Sequence, residues 1–89
     1  RPRLRLPEGR EEALARVARA EAGLRGLGFS PVRVRFHAGS IAVVETNDPS
    51  GVVARRDQVV SLLEEAGFSG VLVDLEGYRR GRMNALPSP

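Results

Sequence analysis

The sequence predicts an α+β fold, a two-layer sandwich with two helices on one face of a small antiparallel or mixed sheet. A unit of helix end, glycine turn and strand occurs at residues 27–34 and again, thirty-nine residues later, at residues 66–73. Between these units, two runs rich in β-branched residues flank Ala38 and Gly39, a pattern typical of a β-hairpin. The resulting order is α-β-β-α-β, and an added strand at residues 3–6 would make the fold ferredoxin-like, β-α-β-β-α-β.

The first helix is predicted to begin near Glu11 and to end at Gly28. Leu14, Val17 and Leu24 recur at helical spacing, so one face of this helix is apolar. Its acidic beginning suits the positive end of a helix dipole, and Gly28 can adopt the left-handed conformation that ends many helices. We therefore expect an amphipathic helix packed on the sheet.

The second helix is marked at both ends. Asp48 and Pro49 are the residue types preferred at a helix N-cap and at the first helical position. Valine and leucine residues form an apolar stripe over residues 52–63, and Gly67 is expected to end the helix. We expect residues 1–82 to form one domain and residues 83–89 a flexible tail.

Three strands are predicted, at residues 32–37, 41–46 and 71–76. The first and third alternate apolar and polar side chains, and the second is rich in β-branched residues. If both helices cover one face of the sheet, the other face stays open. We expect this face to meet another domain or subunit, which favours a homo-oligomer. Its predicted residues are Arg33, Arg35, His37, Ala42, Val44, Leu72, Asp74 and Glu76.

The composition excludes several classes of function. The chain has no cysteine and one histidine, so it can form neither a disulfide nor a thiolate metal site nor a histidine cluster. No apolar run approaches the roughly 20 residues that a membrane span needs. Nothing resembles a secretory signal, so we expect a cytoplasmic location. Arginine without lysine, together with few side-chain amides, favours a GC-rich or thermophilic source.

The positive net charge resides in the two ends of the chain. Residues 6–78 carry eight arginines against eleven acidic residues, so the body of the sequence is mildly acidic. A nucleic-acid-binding fold usually carries its excess charge as a patch on a folded face. The predicted sheet also lacks the aromatic residues on which bases stack. Both observations argue against nucleic acid as a partner.

Two pairs of charged residues are candidate site residues. Arg33 and Arg35 lie on one face of one predicted strand, and their guanidinium groups suit a phosphate or carboxylate. Asp74 and Glu76 lie on one face of another strand, where they would either pair with the arginines or hold a divalent cation. We favour the ion pairs, because such pairs are common on protein surfaces. His37, at the mouth of the hairpin, is expected to be a polar turn residue.

The segment Val73-Asp74-Leu75-Glu76-Gly77-Tyr78-Arg79, followed by Gly81 and Met83-Asn84, resembles a known signature. It is similar to Asp-Leu-Glu-Gly-Tyr-Arg-Ser-Gly-Ser-Met-Asn near the C-terminus of the ATP-dependent sacrificial sulfur transferases, the LarE family of PP-loop ATP pyrophosphatases. The resemblance continues upstream through residues 20–29 and 32–45. Arg5-Leu6-Pro7-Glu8-Gly9 is similar to the family's Arg-Ile-Pro-Tyr-Gly. The similarity covers nearly the whole chain but only the family's C-terminal part.

This resemblance implies a domain appended to an enzyme that adenylates a pyridinium carboxylate mononucleotide and installs sulfur, toward the nickel-pincer cofactor of lactate racemase. It implies that Arg33, Arg35 and Arg79 contact the substrate phosphate or a domain interface. It also implies that Asp74 and Glu76 are polar site residues or metal ligands. The implied partner is a PP-loop catalytic domain, which would bind ATP and magnesium, so no cofactor is expected in this chain.

The sequence also departs from the family pattern. It contains no Ser-Gly-Gly-x-Asp-Ser phosphate loop, so we expect no catalytic residue and no ATP cleavage. The sulfur-donating cysteine found in many members is absent, and Arg80 and Arg82 replace the two serines of the signature. Two explanations remain open. The chain is either the accessory part of a longer sulfur transferase or a stand-alone ferredoxin-like module for binding or oligomerisation.

Overall fold

The computed structural model describes residues 5–78, with side chains from residue 9 onward. Within this range, three helices lie on one side of a single three-stranded sheet. The elements are α1 (Arg5–Gly26), β1 (Val32–His37), β2 (Ile41–Thr46), α2 (Pro49–Ala54), α3 (Arg56–Ala66) and β3 (Gly70–Val73). Within residues 5–78, no helix has the length and apolar character needed to cross a bilayer.

The sheet is mixed, with β2 at its centre. β1 and β2 form an antiparallel hairpin in which Val34 lies opposite Val44. β2 and β3 are parallel, with Val44 opposite Val73. α3 makes the crossover that parallel neighbours require. The predicted α+β class and two-layer arrangement are therefore confirmed.

Three element boundaries differ from the prediction. α1 begins at Arg5, so Arg5 and Leu6 are helical and do not belong to an added first strand; residues 3 and 4 lie outside the described range. The second helix is divided at Arg55 into α2 and α3. β3 ends at Val73, because the Asp74 carboxylate accepts a hydrogen bond from the Glu76 N–H at 2.9 Å and turns the chain.

The core fills the space between the helices and the inner face of the sheet. Leu24, Val44 and Leu63 are completely buried there, contributed by α1, β2 and α3. α1 and α3 approach closely at Gly23, where a Cβ atom would lie 2.8 Å from the Leu62 side chain. Each fully buried aliphatic side chain stabilises the fold by about 1.5–3 kcal/mol. The core is mainly aliphatic, and Phe29 and Phe68 are its buried aromatic residues.

The predicted facing of β2 is wrong. Ala42 and Val44 are fully buried and lie on the helix-covered face, because the hairpin register places Val44 directly opposite the buried Val34. Side chains alternate along a strand, so Val43 and Glu45 lie on the opposite face. The sequence carries little signal for this choice, since β2 is apolar on both faces over residues 41–44.

Arginine side chains bind the carbonyl groups at the ends of two helices. Arg16 and Arg19 of α1 donate hydrogen bonds to the carbonyls of Gly67 and Ala66, each at 3.1 Å, at the end of α3. Arg55 donates to the Leu27 carbonyl at 2.7 Å, just past the end of α1. Carbonyls at a helix C-terminus lack intrahelical partners and carry partial negative charge, so a cation there stabilises the helix.

Replacing Arg55 with Ala should therefore lower the free energy of unfolding by about 1–2 kcal/mol. The variant loses the bond to the Leu27 carbonyl and the contact in which the Arg55 guanidinium lies 5.7 Å from the centre of the Phe29 ring. Urea unfolding followed by circular dichroism measures the change. The matched control is Arg10→Ala, an exposed change in α1. Equal stabilities of the two variants would contradict the role assigned to Arg55.

Candidate functional site

The open face is the side of the sheet away from the helices. Charged and apolar side chains meet on it, and their positions follow from the strand register. Its residues are Arg33, Arg35 and His37 on β1, Ile41, Val43 and Glu45 on β2, and Leu72 on β3. The register pairs Arg33 with Glu45, Arg35 with Val43 and His37 with Ile41. The open face therefore joins a cationic strand to a central strand that carries one acid.

Arg35 and Glu45 form an ion pair on this face. The Arg35 Nε lies 3.2 Å from Glu45 Oε2, and the Glu45 side chain is only 11% exposed, against 40% for Arg35. The Arg35 Nε is itself buried and, within the described part of the chain, makes no well-aligned hydrogen bond. A buried carboxylate is costly without a nearby cation. Arg35 therefore compensates Glu45, and the contact acts by charge proximity more than by directed hydrogen bonding.

Arg33 has a different environment. It lies directly opposite Glu45 in the register, yet its side chain is exposed, and no residue between 9 and 78 forms an ion pair with it. The two arginines face one carboxylate, so the β1 side of the open face keeps a net positive charge. An exposed guanidinium beside a positively charged partner can bind a phosphate or carboxylate through its paired N–H groups.

The predicted pairing of Asp74 and Glu76 with the arginines of β1 is wrong, because it requires the first and third strands to be neighbours. The sheet order is β1-β2-β3, so β3 lies beside β2, and β1 and β3 are two strand spacings apart, about 10 Å. Asp74 and Glu76 also follow β3 instead of lying within it. The acid that pairs with Arg35 is Glu45, which sequence reasoning missed. A short hairpin turn fixes the register, so counting back from Ala38 and Gly39 could have found it.

The segment that carries the family signature folds across the end of β2. The Tyr78 N–H donates to the Thr46 carbonyl at 3.1 Å, and Asp74 donates its N–H to Val44 at 2.9 Å. Gly77 has φ +81°, and a Cβ atom there would lie 2.5 Å from the Thr46 carbonyl oxygen. The signature glycine is therefore required by backbone conformation and by close approach to β2.

Two further residues considered in the sequence analysis are Arg79 and His37. Arg79 lies outside the described residues. His37 is exposed at the end of β1, beside the turn, where it was expected. Among the residues that the structure describes, no group of three or more acidic, histidine or cysteine side chains could hold a metal ion.

Comparison with known proteins supports the resemblance seen in the sequence. No family model matches the chain. The chain is 44% identical, over 80% of its length, to a pyridinium-3,5-bisthiocarboxylic acid mononucleotide synthase of Lactiplantibacillus plantarum, of which it covers 26%. It is 40% identical, over 90% of its length, to an uncharacterized protein of Synechocystis, of which it covers 32%. The similarity to the sulfur transferase family is thus confirmed, and the chain spans between a quarter and a third of these relatives' lengths.

Replacing Gly77 with Ala should destabilise the protein by about 1–3 kcal/mol, since the added methyl group meets backbone and the left-handed conformation is strained. Thermal unfolding monitored by circular dichroism measures the effect. Gly26→Ala is the matched control, because a Cβ atom at that helical position meets nothing within 4 Å. The control should be neutral or slightly stabilising. A Gly77→Ala variant as stable as the control would refute the assigned contact.

Replacing Arg35 with Ala should destabilise the fold by about 1–2 kcal/mol, because the change leaves the Glu45 carboxylate buried without its cation. The partial exposure of Arg35 keeps this loss below that of a fully buried ion pair. Adding Glu45→Gln to that variant should recover part of the loss. Arg33→Ala should change stability by less than about 0.5 kcal/mol. A double-mutant cycle by chemical unfolding measures the coupling, and additive single changes would contradict the ion pair.

Proposed function

We propose that the chain is an accessory domain of an ATP-dependent sulfur transferase that acts in nickel-pincer cofactor biosynthesis. The similarity to the pyridinium-3,5-bisthiocarboxylic acid mononucleotide synthase over 80% of the chain carries this proposal. In this role the domain performs no chemistry itself. A PP-loop catalytic domain, with its ATP and magnesium, would supply the reaction, since this sequence contains no phosphate loop.

The contribution of the domain is a cationic surface for the phosphate of a pyridinium mononucleotide. Arg33 is exposed and points away from the core on β1, and Arg35 lies two residues further along the same face. Glu45 restrains Arg35 through their ion pair at 3.2 Å, so Arg35 loses less conformational freedom when an anion binds. Arg79 follows directly after Tyr78 and is the third proposed contact.

The position of the signature segment supports the inclusion of Arg79. Tyr78 is hydrogen-bonded to Thr46, the residue that follows Glu45 on β2. Tyr78, the residue before Arg79 in the sequence, therefore lies at the same end of β2 as Glu45 and its cross-strand neighbour Arg33. Asp74 and Glu76 serve this arrangement by shaping the turn, through the hydrogen bond from the Glu76 N–H to Asp74.

The test is the effect of inorganic phosphate and of nicotinic acid mononucleotide on the melting temperature, against sodium chloride of equal ionic strength. A ligand at ten times its Kd stabilises by about 1.4 kcal/mol, which raises Tm by several degrees in a domain of this size. The double variant Arg33→Ala, Arg35→Ala should abolish the rise. Its matched control is Arg10→Ala, Arg25→Ala, which removes the same charge from exposed positions on α1.

Two results would refute the anion site. One is an equal Tm in chloride, in phosphate and in nicotinic acid mononucleotide, each up to tens of millimolar. The other is an equal phosphate response of the two double variants, which would mean that net charge alone produces the shift. A rise with the mononucleotide but not with phosphate would show that recognition includes the ribose or the pyridinium ring, and would support the proposed substrate class.

A further inference from the structure

The two outer edges of the sheet differ in whether their outward N–H groups have hydrogen-bond partners. On β1, the Val34 N–H points away from β2 and donates to Glu21 Oε2 of α1 at 2.9 Å, so this edge is partly closed to another strand. On β3, the Asp74 N–H bonds to Val44, and alternation therefore directs the N–H groups of Val71 and Val73 outward. No residue in the described range bonds to these two groups.

Apolar side chains surround the open β3 edge. Leu72 is 51% exposed and Val53, on α2, is 56% exposed. A groove runs between α2, α3 and β3, with Val52, Val60 and Val71 in its walls and Arg56 at its rim. β3 has only four residues, but it carries no charged residue and no proline, which are two of the features that usually prevent strand pairing. An edge of this kind is complementary to another strand with an apolar flank.

The charged residues beside this groove are arranged so that they can pair with the same residues of a second copy. Arg56, Val60 and Glu64 are spaced four residues apart, so they form one stripe along α3. When two such helices lie antiparallel with their Val60 residues opposed, Arg56 of each copy faces Glu64 of the other. A two-fold axis produces this pairing twice, as an isologous interface requires.

We propose that two copies of this chain associate through their β3 edges about a two-fold axis. The two β3 strands pair antiparallel, through the outward N–H and C=O groups of Val71 and Val73, and the two three-stranded sheets become one continuous sheet. The α3 helices lie side by side on the covered face, with Arg56 and Glu64 of each copy in reciprocal contact. The open faces of both copies then lie on the same side, with the arginines of β1 at the two outer edges.

This association does not depend on the proposed anion site. Arg33 and Arg35 lie on β1, at the opposite edge of the sheet from β3. We identify the occupant of the groove as a second copy because Arg56 and Glu64 on α3 are complementary to Glu64 and Arg56 of an antiparallel copy. An unrelated partner would not require such a pattern. The two proposals can therefore fail separately.

Sedimentation equilibrium of the 89-residue chain, from low micromolar to millimolar concentration, tests the proposal. We expect a monomer–dimer equilibrium. Arg56→Glu and Glu64→Arg, each made alone, should weaken it about tenfold, since each places like charges together twice in the dimer. The double variant, which exchanges the two charges, should restore the affinity to within about threefold. The matched control is Glu11→Arg with Arg25→Glu, exposed changes on α1, which should leave the equilibrium unchanged.

Circular dichroism of each variant verifies folding, and all four changed positions are exposed, so loss of association will not result from unfolding. A chain that stays monomeric to millimolar concentration would overturn the proposal. So would a dimer that both single reversals leave intact, or a double variant no stronger than the singles. A second, apolar change, Val53→Asp at an exposed position beside the groove, should also weaken the dimer.

Discussion

The carboxyl end of β2 is the point on which the arrangement of the sheet depends. Thr46 is 1% exposed; its hydroxyl donates to the Pro31 carbonyl and its own carbonyl accepts the Tyr78 N–H, both at 3.1 Å. One residue thus joins the chain before β1, the end of the central strand and the chain after β3. Arg33 and Glu45 lie next to this junction, so the geometry of the open face is determined by the same hydrogen bonds.

Local signals in the sequence predicted most of the elements, and non-local pairing explains what they missed. Asp48 accepts a hydrogen bond from the Gly51 N–H at 3.0 Å, and Gly67 is left-handed with φ +113°, as the cap residues indicate. These features depend on a few neighbouring residues. Strand order and the facing of β2 depend on distant partners, and the apolar run at residues 41–44 fits either face. The Arg35–Glu45 pair was missed for that reason.

The described arginines differ in what their guanidinium groups contact. Arg16, Arg19 and Arg55 donate to main-chain carbonyls at helix ends, which places their charges against helix dipoles. Their contribution is to the fold, so the chain's net charge of +3 does not measure its affinity for an anion. Arg33, by contrast, is exposed on the open face of the sheet, where its guanidinium group is accessible.

In the proposed anion site, Glu45 would limit how strongly the isolated domain holds a phosphate. Its carboxylate is buried beneath Arg35, so part of the charge of Arg35 is already compensated, and an approaching phosphate meets a negative group in a region of low dielectric. Such a pair suits a site that positions an anion rather than one that binds it tightly. The proposal therefore assigns the additional binding free energy to Arg79 or to groups on another domain. This requirement is what an accessory domain, completed by a catalytic partner, would satisfy.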